Sequence, residues 1–540
     1  MVYITSFLLA MVVTMAWMPL CARLAPRLKI VDHPDRRKVH AAPIPRIGGI
    51  AMALGILFAA VLVVPVDSAD RYFLLAAGIL TVFGALDDRF DLNYKIKLVG
   101  QLIAAGIVVY AGDVQIQALT LDDRLVLSPW ISIPLSVGFL VGITNAINLA
   151  DGLDGLAGGT TFLSLCALAI LAYSAGQVST AALTLAFAGA ALGFLRFNTF
   201  PASIFMGDAG SQLLGFAVGV LSIRATQNGG SVVSAATPIL LLALPILDTL
   251  SVMAQRISEG RSPFSADKNH IHHKLLALGF SHHEAVMVIY AIQADLFLLA
   301  YWMRYESDLL ILGAVSAFFL SALLMLHIAA KRHWRWGSRH DSPRARLVAL
   351  LLQPQYVPRW SYLAVAFALC AYAGLVIAEI ADLSGDVKLL VLILLAVTAS
   401  CLVVLRIRPL SLLEKGALYV TVAALVYLDS VIVQGDRLTS FVGWGLVLVA
   451  AAGTVLRLRL TGDRRFELTP LDLIVLFVAL VIPSLPGNLG LLHGGALAIA
   501  KLVILFYAVE VLANRVETQA VWLRFGVSAV LAGLVLKPML

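Results

Sequence analysis

The chain reads as an all-α polytopic membrane protein. Hydrophobic residues fill 60% of its 540 positions and charged residues only 13%, and the mean hydropathy is +0.93. No soluble globular domain has that balance. Apolar runs recur at the length a helix needs to cross a bilayer. Basic residues gather in alternate loops, as the positive-inside rule requires. The net charge of +7 therefore belongs to cytoplasmic loops and implies no nucleic acid. The same counting gives about eleven spans in residues 1–335 and about seven in 360–540. A basic cytoplasmic linker, 336–359, would join these two domains at anionic headgroups.

The order of the elements follows from length and charge. The first run, 2–20, has no basic residue before it and is followed by Arg23, Arg27 and Lys29. It reads as an uncleaved span with the amino terminus outside. The loop 23–46 should be cytoplasmic. Span two covers 47–65, and span three ends at Leu86 before the polar stretch LDDRFDLNYKIK. Spans four and five flank an external acidic segment near 113–124. Span five enters residues 145–159, and spans six and seven form a hairpin ending in FNTFPASIFMGDAGS. Spans eight and nine lead to a polar loop over 255–284, and spans ten and eleven to the basic run from Lys331. Cys21, Cys166, Cys370 and Cys401 lie in or at the ends of apolar runs and form neither a disulfide nor a zinc pattern.

Every stretch dense in Asp, Asn and His falls on the side of the basic loops. Residues 145–159, NAINLADGLDGLAGG, space Asn145, Asn148, Asp151 and Asp154 three apart at a span end. Such groups are costly in a membrane unless solvated or used. Asp87 and Asp88 end span three; adjacent carboxylates suit a general base or a cation, or simply a solvated cap. Asp208 lies between Gly207 and Gly210, where it could reach a hard cation or cap the next helix. Phe205 reads alone as core or interfacial. His270, His272 and His273 form HIHH in a loop; other zinc ligands are missing nearby, and hydrogen bonding to phosphate is as good a reading. Arg36, Arg37, Lys38 and His40 precede PIPRIGG, which contains Arg46, and cations beside a glycine pair suit a diphosphate. Together these groups fit a Mg²⁺-bound anionic substrate at the cytoplasmic face. A transporter or flippase for a lipid-linked or nucleotide-linked sugar is the rival reading, but coupling carboxylates usually sit near the midplane.

DHPDRRKVHAAPIPRIGG, the DD pair, NAINLADGLDGLAGG, FNTFPASIFMGDAGS and HIHH resemble, in order, the motifs of the polyprenyl-phosphate N-acetylhexosamine-1-phosphate transferases, glycosyltransferase family 4. The resemblance covers residues 1–335 and leaves 360–540 without a role. It implies transfer of an N-acetylhexosamine 1-phosphate from a UDP-sugar to undecaprenyl phosphate, releasing UMP. That would be the first membrane step of a cell-envelope glycan such as O-antigen. HIHH points to UDP-GlcNAc as donor. The resemblance also implies Mg²⁺, with Mn²⁺ as the alternative, and a bacterial inner membrane setting with the site on the cytoplasmic face. Membrane lipids are partners in that setting, and a homodimer stays open. By the same resemblance Asp208 is the metal ligand, Asp87 the base for the lipid phosphate and Asp88 its neighbour. Asn148, Asp151 and Asp154 are polar site residues, with Asp154 facing the uridine. Phe205 stacks on uracil. Asn198, His270, His272 and His273 contact nucleotide or phosphate. Lys38, Arg46 and Lys97 contact phosphate or uridine. Direct attack and a phospho-aspartate route both remain open.

Overall fold

A computed structural model describes residues 2–32, 43–121, 124–228, 231–262, 269–332 and 334, helices at 357–379 and 437–460, and parts of 421–429, 470–477, 501–512 and 529–533. Lys38 and linker residues 336–356 lie outside the described residues. Two compact units are present: Met1–Ser338 with Thr469–Ile474, and Arg339–Leu468 with Val475–Leu540.

The first unit is helical. In chain order it contains α1 (Val2–Leu28), the pair β1 (Val31–Asp32) and β2 (Ile44–Pro45), α2 (Gly48–Leu62), α3 (Ser68–Phe90) and α4 (Tyr94–Gly106). A π-turn, Ile107–Ala111, continues α4, and a small hairpin follows, β3 (Ala118–Thr120) with β4 (Arg124–Val126). Then come α5 (Pro129–Ala150), α6 (Leu156–Ser174), α7 (Val178–Asn198), α8 (Gly207–Gln227), the short α9 (Thr237–Leu241) and α10 (Ala243–Ser258). The unit closes with the short α11 (Ile271–Ala277), α12 (His282–Met303) and α13 (Asp308–Lys331).

Among the described residues, eight helices are long and apolar enough to cross a membrane: α1, α3, α4 with its π-turn, α5, α6, α7, α12 and α13. Three of the expected spans are helices that fall outside this set. α2 has 15 residues and α10 has 16. α8 is long enough, but its Ser211, Gln212 and Arg224 are buried against neighbouring helices. A helix at the centre of a bundle is screened from lipid and can carry such groups. α6 and α7 are apolar all round and almost wholly buried, the pattern of central helices. By contrast α2 and α3 turn Leu57, Phe58, Leu62, Leu75 and Val82 outward, as lipid-facing helices do.

Small residues set the closest approaches, as bilayer helices require. A Cβ at Gly49 would strike the backbone of Ala209 and Gly210, and one at Gly84 would strike Ala209. α2 and α3 are thereby drawn onto the first turn of α8. The end of the bundle away from that turn is tied by buried charge. Arg224 reaches Asp67 at 2.7 Å and Asp70 at 2.9 Å. Asp67 and Asp70 also form the capping box that starts α3.

The second unit contains α14 (Val357–Glu379), which begins inside the expected linker, and α15 (Arg437–Leu460). Val365, Ala368, Tyr372 and Val376 of α14 share an apolar core with Val447 and Ala450 of α15. Among the described residues of this unit, Asp429, Lys501 and Tyr372 form a buried ionic group. Asp429 accepts from Lys501 at 2.5 Å and from the Tyr372 hydroxyl at 2.8 Å, and Lys501 lies 5.0 Å from the Trp444 ring centre.

Candidate active site

One end of the first unit collects the chemistry, because α3, α5 and α7 end there and α4, α6 and α8 begin there. Asp87 and Asp88 sit in the last turn of α3. Asp91, in the left-handed region at φ 51°, stops that helix. Asp87 is buried; one oxygen accepts from the Leu92 amide at 2.7 Å, and the other pairs with Lys97 on α4. The Lys97 ammonium also reaches Asp208 at 2.8 Å. A single cation thus stands between two carboxylates from helices far apart in sequence.

Asp88 does a different job. Its two oxygens accept from the backbone N–H groups of Asp208, at 2.9 Å, and Ala209, at 3.1 Å. Those N–H groups belong to the first turn of α8 and lack helical partners. Asp208 is therefore not the N-cap of its helix, one of the readings its position allowed; Asp88 satisfies that turn from α3. Gly207, at φ +70°, makes the turn: a Cβ there would meet the Asp88 carboxylate and the Arg46 carbonyl. Asn148, near the end of α5, donates to Asp208 at 3.1 Å and to Ser211 at 2.7 Å.

Asp151 and Asp154 leave α5 in an irregular turn, so the i, i+3 series does not continue along one helix face. Asn145 is instead drawn to Gln101 of α4 at 2.7 Å. Asp154 accepts from the Ala202 amide at 2.9 Å. Asn198 accepts from Gly155 at 2.9 Å and donates to Ile204 at 3.0 Å. Gly155, at φ +82°, allows this sharp entry into α6, and the buried Tyr290 hydroxyl donates to its carbonyl at 2.6 Å. Burial, then the carboxylates of Asp208, Asp88 and Asp154, push Asp151 up to about 7, against the pull of Arg46.

The Phe205 amide donates to Pro45 at 2.8 Å and its carbonyl accepts from Gly48 at 3.0 Å. That pairing joins PIPRIGG to FMGDAGS. Arg46 pairs with Asp32 at the edge of this cluster. HIHH is not a loop: His270 is the N-cap residue of α11, and His272 and His273 lie in its first turn. His272 packs on Gly152, where a Cβ would strike its ring. Burial, then the neighbouring His273, bring His272 down to about 4, so it is neutral at pH 7. The ring centres of His282 and His283 lie 4.5 and 4.6 Å from that of Phe200. Sequence reasoning also missed Asp248, whose carboxylate holds His270, along with Tyr290 and Gln101. Each is a polar residue inside an apolar run, the one signal that could have marked it.

Among the described residues, no three His, Cys, Asp or Glu side chains converge closely enough to hold a metal by themselves. Mg²⁺ does not need that: it takes one or two carboxylates and completes its shell with water and phosphate oxygens. Asp208, which pairs with Lys97 and accepts from Asn148, fits that demand.

The profile of glycosyl transferase family 4 matches residues 71–226, from α3 through α8. The chain is 40% identical over 296 residues to the probable undecaprenyl-phosphate N-acetylglucosaminyl 1-phosphate transferase of Bacillus subtilis (strain 168), covering 54% of this chain and 80% of that protein. It is 31% identical over 342 residues to the undecaprenyl-phosphate alpha-N-acetylglucosaminyl 1-phosphate transferase of Yersinia pestis, covering 61% and 92%. It is 38% identical over 300 residues to the decaprenyl-phosphate N-acetylglucosaminephosphotransferase of Mycobacterium leprae (strain TN), covering 49% and 75%. A multi-pass membrane bundle with its acidic cluster at one end, matched over most of such relatives, belongs to glycosyl transferase family 4, among the polyprenyl-phosphate N-acetylhexosamine-1-phosphate transferases.

Proposed function

We propose that the chain transfers N-acetylglucosamine 1-phosphate from UDP-N-acetylglucosamine to undecaprenyl phosphate, releasing UMP, as the first membrane step of a cell-envelope glycan. The observation that carries this reading is the Lys97 ammonium held between Asp87 and Asp208. Two carboxylates and a shared cation at helix ends suit a substrate that brings phosphates and a metal. A cluster at helix ends also argues against a transporter, which would place its carboxylates near the midplane.

In this reading Asp87 takes the proton of the lipid phosphate. The freed oxygen forms a bond to the β-phosphorus of the UDP-sugar. The bond from that phosphorus to the bridging oxygen breaks, and UMP leaves with the oxygen. Asp208 would hold Mg²⁺, which when bound would neutralise the diphosphate charge. Lys97 adds a second positive charge beside the diphosphate. Asn148 aims the Asp208 carboxylate, and Asp88 fixes the turn that carries it. Asp154 faces the uridine, Phe205 stacks on uracil, and Asn198 holds the loop between them. His270, His272 and His273 contact the phosphates, with the neutral His272 as a hydrogen-bond partner. Asp151 contributes to the field that draws in the metal, and Arg46 and Lys38 contact phosphate or uridine of the donor.

The same proposal gives the first unit eleven spans, with α2, α8 and α10 completing the set, and the second unit about seven. The amino terminus lies outside and the site faces the cytoplasm of a bacterial inner membrane. The domain division is 1–335, a linker over 336–359, and 360–540. The test is purified protein with Mg²⁺, undecaprenyl phosphate and a panel of UDP-sugars, following UMP. Release with UDP-GlcNAc is expected. Turnover of UDP-MurNAc-pentapeptide alone contradicts the donor assignment, and no turnover with any donor contradicts the reading.

A further inference from the structure

Asp248 stands in the first half of α10. It is buried, and both of its oxygens are committed to the HIHH segment. One lies 2.8 Å from His270 Nδ1, and the other accepts from the Ile271 amide at 2.6 Å. The second contact satisfies an N–H of the first turn of α11, so Asp248 anchors that helix from outside. The first contact orients an imidazole. A carboxylate that accepts from Nδ1 keeps the proton there and leaves Nε2 as the ring's other polar atom.

The consequence reaches the acidic turn through the rings. His270 and His272 lie parallel, 5.7 Å apart with 4° between their planes. His272 in turn packs against Gly152, between Ala150 at the end of α5 and Asp154. Moving His270 therefore moves the HIHH face relative to Asp151 and Asp154. We infer that Asp248 is a positioning residue for the transfer: it fixes the tautomer and orientation of His270 and seats α11 against the 151–155 turn. This rests on the transferase reading and deepens it, because Asp248 acts on the site through the HIHH segment, and its contact with His270 is the one that Asp248→Asn alters.

The test is a double-mutant cycle in the full-length protein. Asp248→Asn keeps an oxygen to accept from Ile271 but can present an amide N–H to His270. It should leave the melting temperature within a few degrees while lowering kcat for UMP release roughly 10- to 100-fold. KM for the UDP-sugar should change much less. His270→Asn should lower kcat at least as far, and the double variant should be no slower than His270→Asn alone. A purely structural role would instead reduce the yield of folded enzyme and leave kcat per folded molecule unchanged. If Asp248→Asn yields no folded protein, Asp248→Ser, which can also accept from Ile271, takes its place in the cycle. A folded Asp248 variant with wild-type kcat, or losses that multiply in the double variant, overturns the inference. An inactive wild type overturns the transferase reading instead, so the two failures are distinct.

Discussion

The Asp88 side chain accepts from the Asp208 backbone at 2.9 Å, across 120 residues of chain. The two adjacent aspartates at the end of α3 therefore differ in kind: Asp87 faces the Lys97 cation, and Asp88 is the cap of α8. Asp88→Ala should expose two N–H groups and lower stability by about 1 kcal/mol, the usual value of a helix cap. Asp88→Asn, which keeps an acceptor, should lose less. Thermal unfolding of both variants in detergent checks the order; equal stability of Asp88→Ala and wild type would contradict the capping role.

Asp87→Asn should cut kcat by at least about 100-fold, in the range of general acid–base contributions, with little change in UDP-sugar affinity. Asp208→Asn should instead abolish the dependence of the residual rate on Mg²⁺ concentration, because it deletes a ligand charge. Steady-state kinetics across a Mg²⁺ titration separates the two. Affinity that falls in step with rate in Asp87→Asn would make it a binding residue, and a normal Mg²⁺ response in Asp208→Asn would remove the metal assignment.

These two residues mark what could be read in the chain beforehand. Run length and the basic loops placed the long spans, and DD, MGD and HIHH named stretches that do meet at one end of the bundle. What could not be read is which side chain meets which. The cap of Asp208 by Asp88, the grip of Asp248 on His270 and the Arg224 tie to Asp67 and Asp70 depend on helix packing, not on any local period. Apolar helices tolerate many neighbours, and only close approaches such as Gly84 on Ala209 select one. HIHH was expected as a loop because its helix has only seven residues and no side-chain cap of its own.

The buried His272 gives the fold a pH limit. Its folded value is about 4 against an ordinary 6.5. Between those values the unfolded chain binds the proton and the folded one does not, so stability rises with pH. The contribution is complete above 6.5 and is lost as pH falls toward 4. Chemical unfolding in detergent at pH 7 and pH 5 should show a smaller loss for His272→Gln than for wild type. An equal loss would show that His272 is not the group responsible.

The second unit should be separable from the chemistry. Within it, Lys501→Met leaves Asp429 buried without its cation, which costs about 3–5 kcal/mol in known buried pairs. UMP release per folded molecule should nevertheless stay near wild type. A protein ending at Arg346 should likewise keep measurable activity in detergent, since every proposed site residue precedes it. A monodisperse but inactive truncation would show that residues 360–540 belong to the catalytic unit.

The central claim is that a sugar phosphate, not a sugar, is transferred. Donor UDP-GlcNAc carrying phosphorus label only at the β position distinguishes the two. Incubated with the purified protein, Mg²⁺ and undecaprenyl phosphate, it should deliver the label to the organic-extractable lipid and leave unlabelled UMP in water. Label remaining in the aqueous phase as UDP, with only the sugar carried into lipid, would contradict the account.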